Sequence, residues 1–372
     1  MSQKDDRRFW RNEWPLFVVW PSAALWLIYG DAWVGHHQSL APSLFSLLWI
    51  AAAILCAAFA VVRHADALAE RFGEPYGTMI LTIAVISLEV LMISALMLHS
   101  DQPTLARDTM YSVVMIVLTA LVGFCLVAGG LKFHEQSFNL QGANSYLAMI
   151  LPLAVIGLVL PIFTKSGIRG GYSATHAAGL VVLSLAIYGV FLLVQTNRHR
   201  DFFRDPEGDA NDGHVGRPSP LSNAAHTALL FAYIAPVVLL AKKLAVVLHY
   251  ASNDLGLPEG FSGFIVASLL LAPEGLAAIE AALQNRMQRS INLLLGSVLA
   301  TIGLTIPAAL AIGLITGKTV ILGLDNAEVV LLLIVQAVCI LTFGQGRTNM
   351  LHGAIHLLLF GVYIFLIFDT GT

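Results

Sequence analysis

The chain consists largely of long apolar runs, and runs of that length leave few folds open. A bilayer core needs about 20 mostly apolar residues per helix. Eleven candidate segments meet or approach that need: 15–29, 41–62, 76–98, 108–129, 145–162, 174–194, 223–247, 260–281, 291–315, 327–345 and 350–368. Closed β-barrels also cross membranes, but their strands are short and alternate apolar with polar residues. The pattern therefore predicts an all-α membrane protein with about eleven transmembrane helices. Composition agrees, because only 12% of the residues are charged against about 25% in a soluble domain. The first segment follows Arg7, Arg8 and Arg11 and contains Trp20 and Trp26. It reads as a leading anchor helix; a signal peptide is the alternative, but no A-x-A cleavage site follows it.

Loop charge sets the expected orientation. With the N-terminus in the cytoplasm, fourteen of the twenty Lys and Arg residues fall on the inside and six on the outside. The sequence thus predicts a bacterial inner-membrane protein with a cytoplasmic N-terminus and a periplasmic C-terminus. Residues 195–222 are polar, with Asp201, Asp205, Glu207, Asp209 and Asp212 close together, and read as a solvated cytoplasmic linker. The expected organisation is a leading segment at 1–40, five helices in 41–194, the linker, and five helices in 223–372. The expected surroundings are the lipid bilayer and inorganic ions. A net charge of −3 offers no basic face to nucleic acid. Cys56, Cys125 and Cys339 are far apart inside apolar runs and suggest no metal or disulfide framework.

Five helices on each side of the linker invert the second half relative to the first, the plan of many secondary transporters. The halves match at polar positions. The second helix of each half carries one glutamate near its middle, Glu89 and Glu274, and the next helix carries a serine, Ser112 and Ser297. Both glutamates precede their serine by 23 residues. A charge at mid-membrane costs at least about 2.5 kcal/mol on insertion scales, so two such carboxylates point to function. Inverted repeats would bring the pair together near the pseudo-two-fold axis. Pro273 removes a helical N–H beside Glu274, and Gly275 follows, so a broken helix lining a cavity is expected there. Thr78, Thr82 and Glu89 share one helical face.

Several ordered motifs carry a family resemblance: Phe72-Gly-Glu-Pro-Tyr-Gly77 leading to Glu89, Arg107-Asp-Thr-Met-Tyr-Ser112, Ala272-Pro-Glu-Gly275, Asn292-Leu-Leu-Leu-Gly-Ser297 and Gly346-Arg-Thr-Asn349. Together they resemble the cation/calcium exchanger superfamily, and within it the bacterial calcium/proton antiporters. That resemblance implies antiport of Ca²⁺, Na⁺ or K⁺ against H⁺, with no enzymatic chemistry and no cofactor. It implies that Glu89 and Glu274 bind cation and protons, with Ser112 and Ser297 beside them. Thr82, Ser87, Asp108, Asn292, Pro273 and Glu74 are secondary pathway candidates, with Glu74 and Asp108 near the membrane interfaces. The sequence departs from most of the superfamily at one feature. A Gly-Asn pair usually precedes each glutamate, and here those positions are Val85-Ile86 and Leu270-Leu271. Losing the asparagine oxygens weakens the case for calcium and suits monovalent ions.

Other readings have less support. Gly313 to Thr319 looks like a phosphate loop but is one residue too short. His352 and His356 have a zinc-compatible spacing but no His-Glu-x-x-His pattern, so packing roles are expected. No G-x-S-x-G elbow occurs. A passive cation channel is the alternative from another class.

Overall fold

The computed structural model describes residues 13–36, 40–73, 76–100, 102–165, 167–203, 221–253 and 256–369. Eleven helices carry the described chain: α1 (Trp14–His36), α2 (Leu40–Phe72), α3 (Tyr76–His99), α4 (Leu105–Phe133), α5 (Leu140–Phe163), α6 (Ala174–Arg198), α7 (Asn223–Asn253), α8 (Glu259–Leu283), α9 (Met287–Thr316), α10 (Asn326–Phe343) and α11 (Met350–Ile367). Helices α2 to α11 are each long and apolar enough to cross a membrane, and α1 has an apolar stretch over Trp14–Gly30. Helices satisfy every internal backbone group within one segment, which lipid requires. Side chains such as Leu183, Ile315, Leu358 and Phe365 point outward, as lipid-facing residues do. The chain is a multi-span membrane protein.

The helices group into two compact units. One contains α1, α2, α3 and α7, where α7 packs along α2 and α3. Trp26, Ile50, Ile54, Met92, Leu96 and Tyr233 are fully buried there. The other contains α4–α6 and α8–α11, with α4 packed against α8 and α11, and α9 against α5 and α6. A short antiparallel ribbon in this unit pairs β1 (Glu135–Ser137) with β2 (Arg347–Asn349), Gln136 opposite Thr348. The units interleave the sequence halves, because α7 joins α1–α3 while α8–α11 join α4–α6.

Helix starts follow local chemistry. Asn139, Ser173 and Asn349 cap α5, α6 and α11 with side-chain oxygens, and Asp325 with Glu328 forms a capping box on α10. The approach of α8 to α4 depends on Gly263. A Cβ there would lie 2.4 Å from the Asp108 carbonyl carbon, a backbone atom that cannot swing away. Gly263→Ala is expected to force the two helices apart at a cost of about 1–3 kcal/mol, read as a lower Tm of the detergent-solubilised protein.

The break expected at Pro273 is absent: α8 runs unbroken from Glu259 to Leu283. One proline removes a single N–H, and the hydrogen bonds on either side carry the helix through. Wide π-turns occur at Val155–Val159 in α5 and Val194–Arg198 in α6, and also at Ile116–Leu121 in α4 and Thr301–Thr305 in α9. The last two each begin 27 residues after a glutamate, Glu89 and Glu274. In α9 the turn leads directly into Pro307, which cannot donate back to Gly303. In α4 the Thr119 hydroxyl bonds the Met115 carbonyl, a back-bond that bends helices. There the Leu118 carbonyl accepts a 2.6 Å hydrogen bond from Nδ1 of His356 on α11.

Candidate ion and proton site

Glu274 lies well inside α8, and its neighbour Pro273 is buried. Its carboxylate is within hydrogen-bonding reach of Ser297 on α9. Its Oε2 is inaccessible to solvent and has no hydrogen-bond partner. A buried carboxylate oxygen left open is costly unless a proton or cation takes it. Gly275 keeps the next turn narrow, since a Cβ there would meet the Leu121 side chain at 2.7 Å, within the α4 π-turn. Glu89 occupies the matching place on α3 and is buried, only 6% exposed. Thr82 and Ser87 on the same helix are half-buried.

Ser112, the counterpart of Ser297, is buried in a different setting. Its Oγ donates to the Asp108 carbonyl at 2.6 Å and accepts from the Tyr363 hydroxyl at 2.7 Å. It borders a cavity of about 210 Å³, wide enough for several waters. Five carboxylates line this cavity, from Asp108, Glu259, Asp325, Glu328 and Asp369. Arg107 is the basic residue among them, and its guanidinium bonds Asp108 Oδ1 at 2.7 Å and the Gly323 carbonyl at 3.0 Å. Asp108 is 4% exposed and its Oδ2 has no hydrogen-bond partner. Asp108 is a buried group in the first turn of α4, covered by the close packing of α8 at Gly263.

The remaining candidates separate. Asn292 is committed to structure: its Nδ2 donates to the Phe203 carbonyl at 2.6 Å, and its Oδ1 accepts from Gln288 at 2.9 Å. It anchors the 3₁₀ turn Arg200–Phe203 rather than presenting its amide to an ion. Glu74 lies outside the described residues. His352 accepts or donates with Thr348, and His356 with Thr342 and Leu118. The sequence reading missed Glu259, Asp325, Glu328, Asp369, Arg107 and Tyr363. The Asp325-x-x-Glu328 pattern was visible as a helix start, but nothing in sequence joined it to Asp108.

The model of the family described as sodium/calcium exchanger protein matches residues 42–197 and 225–368. The chain is 42% identical over 355 residues to the sodium-potassium/proton antiporter ChaA of Escherichia coli strain K12, covering 94% of this chain and 95% of that one. It is 24% identical over 287 residues to a Ca(2+)/H(+) antiporter of Aphanothece halophytica, covering 74% and 76%. The solved structure of native YfkE superposes with a TM-score of 0.73 at 19% identity, over 95% of this chain and 99% of that one. The H⁺/Ca²⁺ exchanger CAX superposes at 0.66 with 14% identity, over 98% and 89%. The family model and the antiporter relatives make the chain a member of a family of membrane transporters, not of enzymes. The chain belongs to the sodium/calcium exchanger family.

Proposed function

We propose that this chain is a secondary antiporter of the bacterial inner membrane that exports Na⁺, K⁺ or Ca²⁺ in exchange for protons. Glu89 and Glu274 alternately hold cation and proton. The observation that carries this reading is the Glu274 carboxylate, with one oxygen buried and open beside Ser297. Charge supplies the coupling. Two ionised carboxylates in low dielectric are unfavourable until neutralised. One Ca²⁺ neutralises both, as do two protons, or one monovalent cation with one proton. Each ligand excludes the other, so exchange follows from competition, and no cofactor is needed. Hydrophobic residues at 85, 86, 270 and 271 supply no side-chain oxygens. That poorer cage supports monovalent ions, since Ca²⁺ takes six to eight oxygen ligands. The antiporter relatives support coupled exchange over passive conduction.

The acidic cavity around Asp108 serves as a capture vestibule in this reading. Asp108→Asn is expected to raise the apparent KM for cation by up to about tenfold while leaving maximal exchange in place. Flux against cation concentration in proteoliposomes reads this directly. Complete loss of exchange would place Asp108 among the central ligands instead.

The orientation proposed is a cytoplasmic N-terminus and a periplasmic C-terminus, supported by the bias of Lys and Arg. A reporter active only in the cytoplasm, fused after Thr372, is expected to be silent. Activity from that fusion would reverse the topology.

A further inference from the structure

The acidic cavity lies at the ends of α4, α8, α10 and α11, within one unit of the structure. Its carboxylates differ in burial: Glu259, Asp325 and Asp369 are exposed, Glu328 is half-buried and Asp108 is 4% exposed. Acids at helix starts often do no more than offset the helix dipole, and charge decides whether that suffices here. Three helix starts supply about +1.5 charges, the end of α11 about −0.5, and Arg107 adds one positive charge. Ionised, the five carboxylates exceed that total by about three charges. A second, independent sign is an oxygen without a partner. Asp108 Oδ1 is taken by Arg107 at 2.7 Å, while Oδ2 is buried and unbonded. The Thr104 hydroxyl, one turn away, donates its only proton to Glu259 Oε2 at 3.1 Å. A buried acceptor in a cavity wall calls for a donor or a charge brought from outside the protein.

The lining is rich in acceptors, and its side-chain donors point at the protein. The Tyr363 hydroxyl donates to Ser112 Oγ at 2.7 Å, and Ser112 donates onward to the Asp108 carbonyl at 2.6 Å. The Tyr111 hydroxyl donates to the Glu328 carbonyl at 3.3 Å. The Arg107 guanidinium bonds Asp108 and the Gly323 carbonyl. A matching ligand therefore carries both positive charge and N–H or O–H donors. A bare metal ion fits poorly. Among the described residues, no three His, Cys, Asp or Glu side chains are grouped so that they could hold one, and hard cations want several oxygens converging on a point. The carboxylates come instead from four different helices, and Pro258, Leu366 and Ile367 add apolar wall between water and protein. Ammonium groups spaced along a methylene chain answer both features. Each primary ammonium donates three hydrogen bonds, and the methylenes lie against apolar surface as a lysine stem does.

We propose that this cavity binds a linear aliphatic polyamine, whose ammonium groups are shared among Glu259, Glu328, Asp369 and the open oxygen of Asp108, and that the bound polyamine competes with the transported cation. Several linked charges neutralise the surplus at once, whereas a monovalent ion leaves most of it in place. While the polyamine is bound, the carboxylates that would capture a cation are occupied, so it acts as a blocker rather than as cargo. The competition rests on the antiport reading above; the binding itself does not.

Two measurements on the full chain test this. Calorimetric titration of the purified protein with spermidine, at fixed ionic strength, is expected to show saturable binding that is tighter than binding of Mg²⁺ under the same conditions. Glu259 and Asp369 are exposed, so replacing them keeps the fold. Glu259→Gln or Asp369→Asn alone should weaken spermidine binding by about threefold, and the double variant by about tenfold, as expected for exposed ion pairs. Mg²⁺ binding as tight as spermidine would show that charge alone attracts the ligand, and unchanged spermidine affinity in the double variant would place binding elsewhere; either result overturns the site. In proteoliposomes, spermidine on the side of the C-terminus should raise the apparent KM for cation with maximal exchange retained, and less so in the double variant. Spermidine binding with an unaltered KM would overturn the competition. An absence of proton-coupled flux in the parent protein, with spermidine binding and its loss in the double variant intact, would overturn the antiport reading and leave the polyamine site standing.

Discussion

Glu274→Gln is expected to abolish proton-coupled cation exchange while leaving the protein folded in the membrane, and Glu89→Gln is expected to do the same. Glutamine keeps the size of the side chain and its reach toward Ser297. It loses the charge that neutralises a cation and the site that carries a proton. A single variant keeps one carboxylate, enough for a monovalent ion, but coupled divalent exchange should fail. Glu274→Asp and Glu89→Asp should be milder, since they keep the charge and withdraw it by one methylene. The check is ΔpH-driven Na⁺, K⁺ and Ca²⁺ flux from each purified variant. Near-parental coupled flux from either glutamine variant would remove that glutamate from the mechanism.

The second large effect is on stability. His356→Leu is expected to lower the Tm of the purified protein more than any change at the neighbouring exposed positions of α11. His356 is fully buried and satisfies two groups at once: the Leu118 carbonyl in the α4 π-turn at 2.6 Å and the Thr342 hydroxyl on α10 at 3.0 Å. Leucine fills part of the space and removes both bonds. Losing hydrogen bonds to buried groups costs about 1–3 kcal/mol each, so the pair outweighs the apolar area gained. Thr342→Ala should cost less, because it leaves the bond to Leu118 in place. Equal Tm values for His356→Leu and the parent protein would show that the π-turn is held by something other than this histidine.

Much of the fold was legible because lipid makes a simple demand. An apolar run of sufficient length must be a helix, and the helix count follows from counting runs. Helix ends were less legible. The run at 41–62 stops where charge begins, yet α2 continues to Phe72. Ala65 and Leu68 remain buried along that extension, so packing carries the helix past the apolar stretch. The same extension contains Arg63, whose guanidinium donates to the Glu13 carboxylate at 2.7 Å, a contact that hydropathy does not reveal. The two glutamates were legible from isolation and matched spacing. The acidic cavity was not, because its carboxylates come from the ends of α4, α8, α10 and α11, which only the packing brings together. Proline misled in one helix and not in another. Pro273 leaves α8 continuous, whereas the turn before Pro307 widens. The difference lies in what surrounds each residue, and a sequence window does not contain it.

Coupled exchange by two carboxylates makes a demand that a single transport experiment reads. Purified protein in sealed liposomes, given an imposed pH gradient and no other energy source, should drive Na⁺, K⁺ or Ca²⁺ uphill, with protons moving the opposite way. That movement should vanish when the pH gradient is collapsed and when Glu274 is replaced by glutamine. Cation movement that runs only down its own gradient, at a rate indifferent to the pH gradient, would contradict the account and make the chain a passive pathway.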